Sequence, residues 1–299
     1  MGLPAKLVRS QLHFFKPFVA GCSLETTRKA QDKLGELMEA IHKKDVIVRD
    51  YRLARFEGAW IIKGFGATLA DECGVQVFCA AYRLAPENPF PAALEDALES
   101  YRYLLGKGYL PGQIVLCGES AGGGLIYALC LRLRELGMTM PGGLIAISPW
   151  TDLTCSGESF ITNRENDPSL TAELLRFYAG CYTAGGHSEK EPMISPLYGD
   201  LTGLPPSLLF AGGDELLLDD TRRLHQKLQQ CGCRSRMIVA PERWHAYVLY
   251  YLNENMSDFE EMDQFLSRVM GGERKLRWMR LDNAAKIYPA ARRRNWNNL

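Results

Sequence analysis

The feature that most constrains this 299-residue chain is Gly118-Glu119-Ser120-Ala121-Gly122, set between the apolar run Ile114-Val115-Leu116-Cys117 and a segment of helical character. A G-x-S-x-G stretch in that position predicts a tight strand-to-helix turn. Side chains flanking the serine would strike the backbone of such a turn, so glycine is expected at both ends. The serine itself is expected in a strained conformation that lifts its Oγ clear. Any fold that carries this turn must supply a buried strand before it and a packed helix after it.

The rest of the chain repeats that alternation. Val75 to Tyr82, Ile114 to Cys117, Leu144 to Ile147, Leu208 to Phe210 and Met237 to Val239 are short apolar runs bounded by Gly, Pro or charge. They are predicted to be buried parallel strands. Leu94, Ala97, Leu98, Tyr101, Leu104 and Leu105, the segment after Gly124, and Asp219 to Gln230 carry helical spacing. Strand alternating with helix predicts the α/β class, a mostly parallel central sheet flanked by helices. Residues 155–200 break the rhythm with Asn, Asp, Gly and Pro around one helical piece, Thr171 to Tyr182, and are expected to form a helical cap over the sheet. Leu34, Leu37, Met38 and Ile41 fall at i, i+3, i+4 and i+7, which predicts a helix within Thr26 to Lys43. The expected organisation is an N-terminal helical cap segment over 1–45, the main domain over 46–270, and a tail over 271–299.

Composition narrows the chemistry. With 46% hydrophobic residues, 23% charged residues and zero formal net charge, the chain can bury a large core but presents no global field. Nucleic acid, acidic lipid and strongly charged substrates are disfavoured as partners, and a small neutral molecule is expected. The tail from Gly272 to Leu299 holds eight Lys/Arg against two Asp/Glu. Such a run reads as a solvated linker. Nine cysteines, scattered and odd in number, suit a reducing compartment better than a disulfide framework. Cys231-Gly232-Cys233 lacks metal-ligand spacing, so neither a metal nor another cofactor is expected. Lys16 and Pro17 interrupt the apolar patch around Phe14 and Phe15, and the longest apolar stretch, Leu125 to Leu131, is far short of the roughly 20 residues a bilayer requires. A cytoplasmic location without a membrane span is the expectation.

A serine hydroxyl is a weak nucleophile at neutral pH. It needs a base to take its proton and a carboxylate to hold that base in the right tautomer. Of His13, His42, His187, His225 and His245, only His245 falls in a loop just beyond a predicted strand, in Pro241-Glu242-Arg243-Trp244-His245. The expected carboxylate is Asp214 in Ala211-Gly212-Gly213-Asp214-Glu215, again directly after a strand. Glu215, Asp219 and Asp220 compete for that role but are assigned to the following helix. Ser120, Asp214 and His245 would then meet at the carboxyl ends of strands, where open α/β sheets build their sites. An N-cap role is the plainer alternative for Asp214.

Tyr82-Arg83-Leu84-Ala85-Pro86-Glu87, Pro89-Phe90-Pro91-Ala92-Ala93-Leu94-Glu95-Asp96, Gly118-Glu119-Ser120-Ala121-Gly122-Gly123 and Ser148-Pro149-Trp150 together resemble the hormone-sensitive-lipase branch of α/β-hydrolases, including bacterial acetyl esterases, over roughly residues 26 to 270. The resemblance implies the α/β-hydrolase fold, hydrolysis of carboxylic esters, and a triad on Ser120, Asp214 and His245; short acyl groups are expected because no long exposed apolar groove can be inferred from the sequence. The Tyr82 to Asp96 motif is the structural part of that signature. Glu119, Phe160 and Tyr178 are candidate substrate contacts, with core packing the rival reading for the aromatics. The chain departs from the family in one respect: the H-G-G-G loop that supplies most oxyanion-hole N–H groups is absent upstream of Tyr82, as though a strand and its loop were missing between Ile62 and Lys63. The backbone N–H of Ala121 is the oxyanion donor that remains. A catalytically impaired binding or scaffold module is therefore the alternative to an active esterase. Leu281 to Pro289 weakly resembles the opening of condensation-like acyltransferase domains, which makes a fused acyltransferase a candidate partner beside a homodimer.

Overall fold

Apolar runs become strands only where a neighbour accepts their backbone hydrogen bonds. In the computed structural model, which describes residues 5–20, 25–26, 29, 60–250 and 252–271, four of the five predicted runs meet that condition. These are β1 (Val115–Glu119), β2 (Gly143–Ile147), β3 (Ser207–Gly212) and β4 (Ser235–Ala240), each parallel to the next in the order β1-β2-β3-β4. The register pairs Cys117 with Ile145, Ala146 with Leu209, and Phe210 with Ile238. The fifth run, Val75 to Tyr82, is irregular backbone instead of a strand. Its apolar content is used in packing: Phe78 stacks on Tyr103 with centroids 5.5 Å apart, and Ala81 is buried.

Alternation along the strands fills two layers. Ile145, Ile147, Leu208 and Phe210 face one side, where they pack with Trp244, Tyr247, Phe259, Met262 and Phe265. Leu144, Ala146 and Leu209 face the other, against Tyr127, Cys130, Leu224 and Leu228. The helices are α1 (Ala5–Ala20), α2 (Trp60–Cys73), α3 (Ala92–Gly106), α4 (Ala121–Glu135), the short α5 (Ser159–Thr162), α6 (Ala172–Tyr182), α7 (Leu218–Gln230) and α8 (Met256–Val269). Helices α4 and α7 cover one face, while α8, with α1 and α2, covers the other. This is the mostly parallel α/β arrangement, flanked by helices, expected from the sequence.

The position predicted for a missing strand, between Ile62 and Lys63, lies inside α2, which runs from Trp60 to Cys73 without interruption. Most of Thr26 to Lys43 and all of the tail from 272 lie outside the described residues. Among the described residues no helix is long and apolar enough to cross a membrane.

The Tyr82 to Asp96 motif has a clear structural use. The fully buried Asp96 of α3 accepts from the Arg83 backbone N–H at 2.8 Å, and from Nε and Nη2 of its guanidinium at 2.9 and 2.8 Å. A bidentate pair of this kind fixes chain direction as well as charge. The insertion joins the same layer: Phe90 N–H donates to Tyr182 O, and Phe160, Ala172, Leu175 and Ala179 share a core cluster with Leu94, Leu98 and Tyr101.

Candidate active site

Ser120 sits between the last residue of β1 and the first of α4, with φ 52° and ψ −121°. That conformation is strained for any residue with a Cβ, and it persists only where the surroundings over-determine it. Here both of its peptide groups are held at the end of β2. Ser120 N–H donates to Ile147 O at 2.9 Å, and Trp150 N–H donates to Ser120 O at 2.9 Å. A Cβ on Gly118 would lie 2.2 Å from the carbonyl oxygen of Gly122, so glycine is obligatory there. Gly122 differs, since its Cβ would meet only the Tyr82 hydroxyl at 3.6 Å. The expectation of an obligatory glycine on both sides of the turn therefore holds for one side.

The histidine arrives from the strand at the opposite side of the sheet, β4, at the same carboxyl ends of the strands. After β4 the chain turns through Pro241 to Arg243 and places His245, 8% exposed, against the buried carboxylate of Glu215. His245 Nδ1 lies 2.9 Å from Glu215 Oε2. With Nδ1–H donating to that carboxylate, the free lone pair of the ring is on Nε2. His245 and Ser120 make no direct hydrogen bond, a gap common before substrate closes such a site.

Asp214, the expected partner of His245, is turned away. Its Oδ2 pairs with Arg9 Nη1 of α1 at 2.6 Å, and the carboxylate on the histidine is Glu215. The correction has a geometric cause. Gly213 N–H bonds to Ala240 O and Asp214 N–H to Arg243 O, which fixes the turn so that successive side chains leave in different directions. The closeness of the acid and histidine loops rests on Gly212, whose Cβ would lie 2.5 Å from the carbonyl oxygens of both Arg243 and Trp244. Glu215 is not part of the following helix, as the sequence suggested, because α7 begins at Leu218.

Glu215 is held from several sides. Its Oε1 accepts from Gly212 N–H at 3.0 Å, and the nearby Ser148 hydroxyl favours its charged form. The Ser148 Oγ accepts from Ala246 N–H at 2.9 Å, which holds this hydroxyl beside the residue after the histidine. Ser148, like Ser120, has positive φ, at 48°. Asn163 donates to Gly213 O and Glu215 O, and the buried Asp167 accepts from Leu216 N–H at 2.9 Å. Sequence reasoning passed over Glu215 as helical, met Ser148 only as part of the Ser148-Pro149-Trp150 motif without giving it a role, and did not single out Asn163 or Asp167. Besides that motif, Ser148 had one visible signal, its place immediately after a strand.

The electrostatics follow from burial and pairing. Burial opposes a charge on His245, but the hydrogen bond and charge of Glu215, with Glu119 and Asp167 nearby, hold the imidazole above its ordinary pKa. Burial pushes the Glu215 carboxyl up, and the contacts with His245 and Ser148 pull against that. Glu119 is also raised by burial, with His245 lowering it, which places this acid in the electrostatic surroundings of the imidazole.

Of the remaining expected contacts, Ala121 opens α4, with its N–H among the unpaired first-turn donors of a helix. Phe160 is 5% exposed and packs with Trp150, Leu175 and Leu216, so it is a core residue and not a free pocket wall. Tyr178 is half-buried against the same cluster. The other described histidines are placed elsewhere: His225 on α7 bonds Ser235, His187 pairs with Glu191, and His13 lies exposed on α1.

Comparisons with known proteins bear on the fold and the family. The profile of a family described as an alpha/beta hydrolase fold matches residues 58–249. An acetyl-hydrolase of Streptomyces hygroscopicus is 40% identical over 207 residues, which cover 69% of this chain and 69% of its own length. An esterase of Acinetobacter venetianus is 36% identical, covering 61% of this chain and 60% of that protein. Among solved structures, an esterase from the bacterial hormone-sensitive lipase family superposes with a TM-score of 0.74 at 31% identity, over 88% of this chain and 98% of the other.

Proposed function

The chain belongs to the α/β-hydrolase family, within its hormone-sensitive-lipase and acetyl-esterase branch, and from that premise we propose that it hydrolyses small carboxylic esters with short acyl groups through an acyl-serine on Ser120. His245 Nε2 takes the proton as Ser120 Oγ attacks the ester carbonyl, then returns it to the departing alcohol. Water repeats the sequence to release the acid. Glu215 holds His245 in the required tautomer and stabilises the imidazolium, a role in which the carboxylate need not itself accept the proton. The N–H of Ala121 faces the developing oxyanion.

The observation that carries the reading is the 2.9 Å contact of a buried glutamate with Nδ1 of a histidine, at the same end of the sheet as a serine in a strained strand-to-helix turn. The preference for short acyl groups draws on the relative named an acetyl-hydrolase and on Phe160 being committed to the core.

The test is hydrolysis of chromogenic acetate and long-chain esters by the chain and by Ser120→Ala. The expected result is faster turnover of acetate and a loss of about 10⁴-fold or more in Ser120→Ala. Equal rates for the two proteins would end the reading. A serine-directed phosphonate should label the chain at Ser120, and absence of the adduct on folded protein would count equally against it.

A further inference from the structure

Arg9 has contacts that a surface ion pair does not explain. Its Nη1 lies 2.6 Å from Asp214 Oδ2 and donates to Glu242 O at 2.7 Å, while its Nη2 donates to Asn166 O at 3.1 Å. Each acceptor belongs to a different loop of the site. Asp214 immediately precedes Glu215. Glu242 lies three residues before His245 and is itself at positive φ, 54°. Asn166 adjoins Asp167, whose carboxylate accepts from Leu216 N–H on the far side of the acid turn. Two turns further along α1, Lys16 Nζ donates to Asp167 O at 2.5 Å.

We propose that Arg9 is a positioning residue for the hydrolytic reaction: one guanidinium on the N-terminal helix joins the acid loop, the histidine loop and the insertion, and so sets the distance between Glu215 and His245. The proposal rests on the triad reading above. A guanidinium suits this task because its planar fork of N–H donors can meet several acceptors in fixed directions, which the single ammonium of lysine cannot. Asp214 has its use here, as the charged anchor for Arg9. A displacement of about 1 Å between reacting groups can cost up to about 10²-fold in rate, so a tether of this kind acts on turnover more than on substrate affinity.

Arg9→Ala, Arg9→Lys, Asp214→Asn and the double variant Arg9→Ala with Asp214→Asn test this in the full chain, with kcat and KM measured separately for an acetate ester. Arg9→Ala should lower kcat by roughly tenfold with little change in KM, within the range that misplacement produces. Lysine, which keeps the charge but not the fork, should restore part of the loss. The double variant should be no worse than Arg9→Ala alone. Amide hydrogen exchange gives a readout independent of catalysis: residues 213–216 and 241–246 should exchange faster in Arg9→Ala than in the parent, while β3 is unchanged.

Parent values of kcat and KM in Arg9→Ala, full additivity of the two single effects, or unchanged exchange in both loops would overturn the proposal. Ser120→Ala run beside these variants keeps the two readings separate. If it abolishes hydrolysis while Arg9→Ala is normal, only the tether falls. If it retains full activity the triad reading falls, and the proposal, which rests on it, falls with it; exchange then reports only whether the loops are tied.

Discussion

Among the described residues, strands β2 and β3 each pair with neighbours on both sides and bury every residue, whereas β1, the strand that delivers Ser120, has one neighbour and leaves Cys117 exposed. The acid comes from the protected side. Glu215 follows β3, and its carboxylate is bound by Gly212 and His245. The nucleophile comes from the open side, and its geometry is maintained by local stereochemistry together with two hydrogen bonds to the end of β2. Redundant contacts tolerate the loss of one member. A turn that depends on close backbone approach, as at Gly118, does not.

The comparison is broken most sharply at the acid loop. Glu215→Gln should lower kcat by about 10⁴-fold, because an amide in place of the carboxylate permits the wrong histidine tautomer. Asp214→Asn should stay within about tenfold, since its contact acts through Arg9 and not on the imidazole. Steady-state kinetics of the two variants decide which neighbour is the acid, and the reverse ranking would return Asp214 to the triad.

On the nucleophile side, Gly118→Ala should be among the most damaging single changes, at more than about 4 kcal/mol or outright failure to fold, because backbone must move to admit the methyl. Gly122→Ala, with room at its Cβ, should cost about 1 kcal/mol or less. Urea unfolding of the two alanine variants measures the asymmetry of the turn.

The layers of the sheet should differ likewise. Phe210→Ala in β3 removes a fully buried ring and should cost about 3–5 kcal/mol, whereas Cys117→Ala on the exposed edge should fall within about 0.5 kcal/mol. Comparable losses at both positions would show that the edge of β1 is covered in solution.

The smallest effect concerns pH. The base must be neutral to accept a proton, and the folded chain holds His245 above the ordinary value of 6.5 through Glu215. The kcat/KM profile should therefore rise with pH and reach half its plateau above 6.5. Ser148→Ala removes a nearby hydroxyl that favours the Glu215 carboxylate, so the imidazolium is held less firmly and the rise should move to lower pH. An unmoved profile would reduce Ser148 to a packing role.

Much of this was legible in the sequence. The four paired strands lie where short apolar runs predicted them, because burial on both faces leaves a continuous apolar signature. The serine turn was legible because its glycine and its place between strand and helix are local requirements. The run from Val75 to Tyr82 misled, since apolar content reports burial and is silent on whether a neighbouring strand exists. Asp214 misled for a related reason. Adjacent residues at the end of a strand leave in different directions, and the choice between Asp214 and Glu215 depends on how Gly212 and Gly213 turn against Arg243 and Ala240.

By itself, then, the order of residues determined a parallel α/β sheet, a strained serine between β1 and α4, and a histidine in the loop after β4. These follow from periodicity and from steric rules that act over a few residues. Which carboxylate meets the imidazole and what the spare aspartate binds were decided only when segments separated by up to 233 positions, as Arg9 and Glu242 are, came together. The physical reason is that direction, burial and pairing of a polar side chain are properties of the surface it faces, and that surface is built by the rest of the chain.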